Sequence, residues 1–362
     1  MIEDAAAMHD ATVQQIETQL APLLRSLETL RLIARHLNPP ELAGMLDSAG
    51  FPENDLRAAR SGGALWPEPY SGLGAQLDAA SDATLAAFEG LRASARDPGA
   101  LQELFSAMRH LPRALEALYP LAGVLPPVNR FFLDAEKRKD ADFQQRFLQP
   151  RKTGTGVIRF GDVADARETV WVYVPETYSP DVACPLVMAL HGGGGNGRSF
   201  LWSWVREARS CGAVVVAPTS LGQTWAIHGG DRDTPHLAHI LSFMRERLTI
   251  DTARMLLTGM SDGGTFTYTS GLEAGSPFTH LAPVAAAFHP MLVQMADEDR
   301  LAGLPIHIIH GAQDWMFPVS MARDADQYFR AAGADVVYRE VTDLSHTYPL
   351  DMNGGILDWL MI

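Results

Sequence analysis

The chain has 362 residues, 47% of them hydrophobic, with 29 basic against 43 acidic side chains and a formal net charge of -14. That balance argues against nucleic acid or an anionic membrane surface as a partner and reads as a solvated acidic exterior. Two cysteines, Cys184 and Cys211, make no disulfide framework; each flanks an apolar strand, where a buried, inert thiol is expected.

No basic segment followed by an apolar run opens the chain, and no stretch is long and apolar enough for a membrane span. A cytoplasmic protein is the expectation. Residues 1–150 are rich in Ala and Leu and almost free of β-branched runs, which predicts an all-helical domain. Val13, Ile16, Leu20, Leu23, Leu27, Leu30, Ala34 and Leu37 alternate spacings of three and four, a heptad seam. Pro22 interrupts it, either kinking one long helix or starting a second. Further helices are expected near 41–49, 81–96, 100–119 and 134–148. The stretches 61–74 and 120–127 read as loops, with Trp66 and Tyr70 available to anchor the first on the following domain.

From residue 151 to 362 the pattern changes to alternating strands and helices. Strands are expected near 155–160, 169–174, 186–190, 213–217, 255–258, 282–287, 306–310 and 336–341, with helices near 198–210, 234–248, 265–274 and 320–332. Such alternation predicts an α/β domain, a mostly parallel twisted sheet flanked by helices with an antiparallel edge. The spacing between 287 and 306 leaves room for a loop and a short helix but not for a lid domain. The seam in the helical domain must bury its stripe somewhere, either on neighbouring helices as a cap over the site or against a second chain as a homodimer.

The motif carrying chemistry is Gly259-Met260-Ser261-Asp262-Gly263, set between an apolar strand and a helix. A serine hydroxyl needs a sharp turn and an adjacent base to become a nucleophile, and glycines at both ends permit that turn. Downstream, Asp314 follows the strand at 306–310, and His346 is the only histidine after it. Ser261, Asp314 and His346 are therefore the expected triad of nucleophile, acid and base. Upstream, His191 leads into Gly192-Gly193-Gly194-Gly195-Asn196 directly after an apolar strand. The N–H of Gly193, paired with that of Asp262, is the expected oxyanion hole. A phosphate-binding loop is the competing reading, but no Gly-Lys-Ser/Thr follows.

Other residues carry two readings each. Gly194 is placed with the substrate pocket. Trp225, His228 and Asp231 follow the strand at 213–217 and either line that pocket or pack their loop. Trp315, Met316 and Phe317 follow the acid and either form an apolar wall or pack around the triad. Trp202 and Trp204 are assigned to core packing. His236 and His239 lack a third ligand, so no metal is expected, and the chemistry calls for no cofactor. His191 and His310 are expected to make structural hydrogen bonds.

Residues from about 155 to 362 resemble the α/β-hydrolase superfamily, and within it the phospholipase/carboxylesterase and polyhydroxybutyrate-depolymerase-like esterases. The matching segments are HGGGGN at 191–196, LLTGMSDGG at 256–264, IIHGAQDWMFP at 308–318 and SH at 345–346. The resemblance implies a Ser-Asp-His triad and hydrolysis of small carboxylic esters through an acyl-enzyme. Polyester oligomers, thioesters and amides are served by the same triad. An inactive binding or scaffold protein is the reading from another class.

Overall fold

The computed structural model describes residues 2–62, 66–97, 99–148, 152–227 and 230–362, with side chains from residue 9 onward. Two compact units emerge, a helical one (residues 1–132 and 138–149) and an α/β one (residues 133–137 and 150–362).

In the helical unit, α1 (Ile2–His36) runs without a break through Pro22. It is followed by α2 (Leu42–Ala49), α3 (Pro52–Ser61), α4 (Ser71–Ser94), α5 (Leu101–Met108), α6 (His110–Leu118), α7 (Pro126–Phe131) and α8 (Ala141–Gln145). The seam of α1 is used inside this unit. Leu23, Leu27 and Leu30 are fully buried, and the helix packs on α3 and α4. Val13 departs from the seam and is exposed.

Several sequence expectations need correction here. The segment 100–119 forms two helices, because Pro112 in the first turn of α6 has no N–H to continue α5. The expected helix at 134–148 shrinks to a short 3-10 turn and α8. Asp134 accepts from the Lys137 N–H at 2.7 Å and Asp140 from the Phe143 N–H at 2.8 Å, so two Asp-capped turns replace continuous helix. The loop expected at 61–74 ends at Tyr70, and α4 starts at Ser71 despite Gly72 and Gly74. Gly74 is there for packing: a Cβ on it would lie 2.0 Å from Trp66 Cγ. Trp66 donates its indole N–H to Asp78 at 2.9 Å, and Tyr70 pairs with His9. Both aromatics thus anchor within the helical unit.

In the α/β unit, the strands β1 (Gly156–Phe160), β2 (Val170–Val174), β3 (Cys184–Leu190), β4 (Val214–Ala217), β5 (Ile250–Met260), β6 (His280–Val284), β7 (Pro305–Gly311) and β8 (Asp335–Val341) form one sheet. Its order is β1-β2-β4-β3-β5-β6-β7-β8. β1 and β2 pair antiparallel, as does β2 with β4, and all pairs from β4 through β8 are parallel. The central strands read as unbroken apolar runs because both faces are covered: every residue of β3 and β4 is buried.

The connecting helices are α9 (Gly197–Phe200), α10 (Val205–Cys211), α11 (Asp233–Arg245), α12 (Asp262–Gly271), α13 (Met291–Met295), α14 (Glu298–Leu301), α15 (Ser320–Ala331) and α16 (Asn353–Met361). Only the two short helices α13 and α14 lie between β6 and β7. The five residues Leu133–Lys137 cluster with this unit, tied by the Asp134 N–H to Ser210 Oγ at 2.8 Å. Cys184 is buried as expected, but Cys211 at the end of α10 is exposed. Among the described residues, no helix is long and apolar enough to cross a membrane.

Candidate active site

All three triad candidates sit at the C-terminal edge of the parallel strands, where an open α/β sheet leaves its crevices. Ser261 occupies the turn between β5 and α12 with φ 56° and ψ -119°, the left-handed region that a non-glycine residue enters only when its surroundings enforce it. Those surroundings are tight. A Cβ on Gly259 would lie 2.4 Å from the Gly263 carbonyl oxygen, and one on Gly263 would lie 2.5 Å from the carbonyl oxygens of Leu190 and His191. The two glycines let α12 leave the strand directly beneath the serine. The Ser261 N–H is held by the Val284 carbonyl at 2.9 Å.

His346 reaches this serine from the loop after β8. Its Nε2 lies 3.0 Å from Ser261 Oγ, and its Nδ1 lies 2.8 Å from Asp314 Oδ2. A carboxylate only accepts, so the imidazole proton belongs on Nδ1 and Nε2 is free to accept from the serine. Gly311 makes this approach possible: a Cβ there would lie 2.1 Å from the Leu344 carbonyl oxygen, so the histidine loop crosses directly over the end of β7.

The Asp314 side chain is fully buried. Its Oδ1 accepts the N–H groups of Met316 at 2.9 Å and Phe317 at 2.8 Å. On the other oxygen, His310 Nε2 lies 3.3 Å away while also donating to the Phe317 carbonyl at 2.9 Å. Burial pushes the Asp314 pKa up, but the bonds from His310, His346 and the Phe317 N–H, with the charge of His346, more than offset it. The carboxyl stays well below the usual carboxylate range.

The glycine loop is fixed by His191. Its Nδ1 donates to the Gly192 carbonyl at 2.7 Å, and its Nε2 accepts the Ser220 N–H at 3.1 Å, which requires a neutral ring. Burial lowers its pKa to about 4. Within the loop, the Gly194 N–H goes to the Gln223 carbonyl at 3.2 Å and the Gly195 N–H to the Gly192 carbonyl at 3.0 Å. Among the described residues, the N–H groups of Gly193 and Asp262 have no such acceptor. The two segments meet, since a Cβ on Gly193 would lie 2.6 Å from Asp262 Oδ2.

The remaining candidates separate. Trp225 packs its loop: it is buried, stacks on Phe266 at 5.4 Å and donates to the His191 carbonyl at 2.7 Å. Asp231 accepts from the N–H groups of Asp233 and Thr234 at the start of α11. His228 lies outside the described residues. Trp202 and Trp204 are core residues. Trp315 and Met316 are each 44% exposed, and the rings of Trp315 and Phe317 meet that of His346 edge-on at 6.1 and 5.3 Å. Gly194 has φ +66° and open space where a Cβ would be.

Two groups escaped the sequence reading. Fully buried Asp233 accepts from Leu221 N–H at 2.9 Å and Ala226 N–H at 2.8 Å and so shapes the loop after β4. Its place at the head of a predicted helix was the available signal. Thr224 donates to Asp262 Oδ2 at 2.5 Å, and no local pattern announces it. No group of three or more His, Cys, Asp or Glu side chains able to hold a metal occurs among the described residues.

No protein-family model matches the chain. A bifunctional acetylxylan esterase/xylanase, XynS20E, of Neocallimastix patriciarum is 32% identical over 154 residues, covering 41% of this chain and 22% of that protein. Feruloyl esterase C of Emericella nidulans is 29% identical over 155 residues, covering 40% and 54%. The chain thus spans about a fifth and about half of the length of these two curated relatives. Among solved structures, the fluorophosphonate-binding serine hydrolase FphF of Staphylococcus aureus is similar at 16% identity and a TM-score of 0.46, covering 58% of this chain and 100% of that one. A thermostable esterase is similar at 22% identity and a TM-score of 0.47, covering 57% and 61%. The strand order, with its antiparallel edge and parallel β4-to-β8 core, makes the second unit an α/β-hydrolase fold.

Proposed function

We propose that this chain hydrolyses carboxylic esters by two-step acyl transfer at Ser261. The observation that carries the reading is the continuous relay from Ser261 Oγ to His346 Nε2 at 3.0 Å and from Nδ1 to Asp314 at 2.8 Å. In the first step Ser261 Oγ attacks the ester carbonyl carbon while His346 Nε2 takes the hydroxyl proton. The N–H groups of Gly193 and Asp262 stabilise the resulting oxyanion, and the buried Asp314 carboxylate stabilises the imidazolium. His346 then returns the proton to the leaving alcohol. Water, activated by the same nitrogen, attacks the acyl carbon and restores the serine. No step calls for a cofactor.

The acyl or alcohol group would lie beside Trp315 and Phe317, whose rings meet that of His346, and beside the exposed Met316 between them in sequence. The curated relatives named above are an acetylxylan esterase and a feruloyl esterase, so acetyl and hydroxycinnamoyl esters belong in the first substrate panel. The test is hydrolysis of nitrophenyl esters of graded chain length together with acetyl and feruloyl esters, alongside fluorophosphonate labelling. Turnover with labelling at Ser261 supports the reading. A folded protein that neither labels nor turns over any of these esters contradicts it and favours a binding role.

A further inference from the structure

We propose that the Thr224 hydroxyl is a positioning group of the oxyanion hole, holding the Asp262 carboxylate off the Gly193 N–H. The inference rests on the ester-hydrolase reading above and concerns the same site.

The residue after the nucleophile supplies one donor of the hole, and here that residue carries a carboxylate. Its Oδ2 lies against Gly193, within 2.6 Å of the place a Cβ would occupy, and Thr224 Oγ1 lies 3.8 Å from the same point. Glycine is the residue that leaves room for this contact. Among the described residues, the Gly193 N–H has no acceptor in the protein, whereas the neighbouring Gly194 and Gly195 N–H groups are committed to the Gln223 and Gly192 carbonyls. A carboxylate beside an uncommitted N–H is its natural partner, because charge-assisted bonds of this kind are about twice as strong as neutral ones. Such a bond would fill the hole with negative charge where the substrate carbonyl must bind.

The arrangement prevents that. Thr224 donates to Oδ2 at 2.5 Å, taking one lone pair of the oxygen nearest to Gly193 and tethering the carboxylate in a position where it makes no bond to the Gly193 N–H. The adjacent Gln223 carbonyl pins the Gly194 N–H at 3.2 Å. One dipeptide of the loop after β4 therefore fixes the glycine loop and restrains the carboxylate.

The experiment compares kcat, KM and the rate of fluorophosphonate labelling for the full chain and for Thr224→Val, Thr224→Ala and Thr224→Ser, each checked by thermal melting. Loss of the hydroxyl should lower kcat by about tenfold or more with KM held within about twofold, since the hole acts on the transition state. Labelling should slow in parallel. Thr224→Ser keeps the hydroxyl and should stay within about threefold of the parent. Adding Asp262→Ala to Thr224→Val removes the competing carboxylate, keeps the N–H, and should restore most of the lost kcat. Parental kcat in Thr224→Val and Thr224→Ala, or a double variant no better than Thr224→Val, would overturn the inference while leaving the triad intact. A parent protein that neither labels nor hydrolyses esters would instead remove the reading on which it rests.

Discussion

Replacing Asp314 by Asn separates the acid's electrostatic role from its shape. The carboxylate accepts from His346, from the N–H groups of Met316 and Phe317, and faces His310, with no exposure to solvent. Asn keeps one oxygen for the two backbone donors but turns an NH2 group toward the imidazoles. His346 must then accept at Nδ1 and carry its proton on Nε2, where it can no longer take the proton of Ser261. The wrong tautomer costs on the order of 10⁴ in kcat in serine hydrolases of this logic, equivalent to about 5.5 kcal/mol of barrier. Loss of the charged acceptor destabilises the fold by about 2–3 kcal/mol. That is less than the 5–15 kcal/mol that domains typically hold, so the variant should fold and be inactive. The assay is kcat on a nitrophenyl ester beside a melting curve. A folded Asp314→Asn enzyme keeping more than about a tenth of parental kcat refutes the assignment. Attention would then shift to Asp343, two residues before Ser345 and exposed.

Acid should weaken the α/β unit through two histidines. Burial lowers the His191 pKa to about 4, and burial with the nearby Arg339 charge does the same for His307, whose ring nitrogens have no hydrogen-bond partner among the described residues. Both folded values lie below the unfolded value of about 6.5, so the unfolded chain binds more protons between these limits. Stability is full above about pH 6.5 and is lost as pH falls toward 4, by on the order of 3 kcal/mol for each ring. The urea midpoint should fall between pH 7.5 and 4.5, and His307→Phe should reduce that fall; an unchanged midpoint contradicts the argument. Glu176→Gln should destabilise the fold by about 1.5–3 kcal/mol, because it removes the charge-assisted bond between this carboxylate and the buried Arg209 guanidinium, 3.0 Å apart. A melting temperature within experimental error of the parent's would show that the pair is dispensable.

The sequence was legible wherever local chemistry constrains the backbone. The elbow glycines 259 and 263 are where they are because helix and strand nearly touch, and a five-residue pattern carries that information. The central strands were legible because a strand covered on both faces must be apolar throughout, as at β3 and β4. What escaped depends on partners distant in sequence. Gly74 looked like a helix breaker, yet it makes room for the Trp66 ring inside a helix. Thr224 is one hydroxyl in a polar loop until folding brings it to Asp262, 38 residues on. His310 makes the structural bond expected of it, to the Phe317 carbonyl at 2.9 Å, while its approach to the buried acid appears only when Asp314 folds back over the end of β7. α3 went unrecognised because its ten residues offer few apolar positions, with Leu56 as the buried anchor.

The central claim is that Ser261 is a nucleophile activated by His346. The most direct measurement is fluorophosphonate labelling followed by peptide mass spectrometry, run with ester turnover on the parent and on Ser261→Ala. One label is expected, on the peptide containing Ser261, and it should be lost in the variant together with a fall in kcat of about 10³-fold or more at unchanged melting temperature. A label on another residue, or a folded Ser261→Ala protein that keeps more than about a tenth of parental turnover, would contradict it.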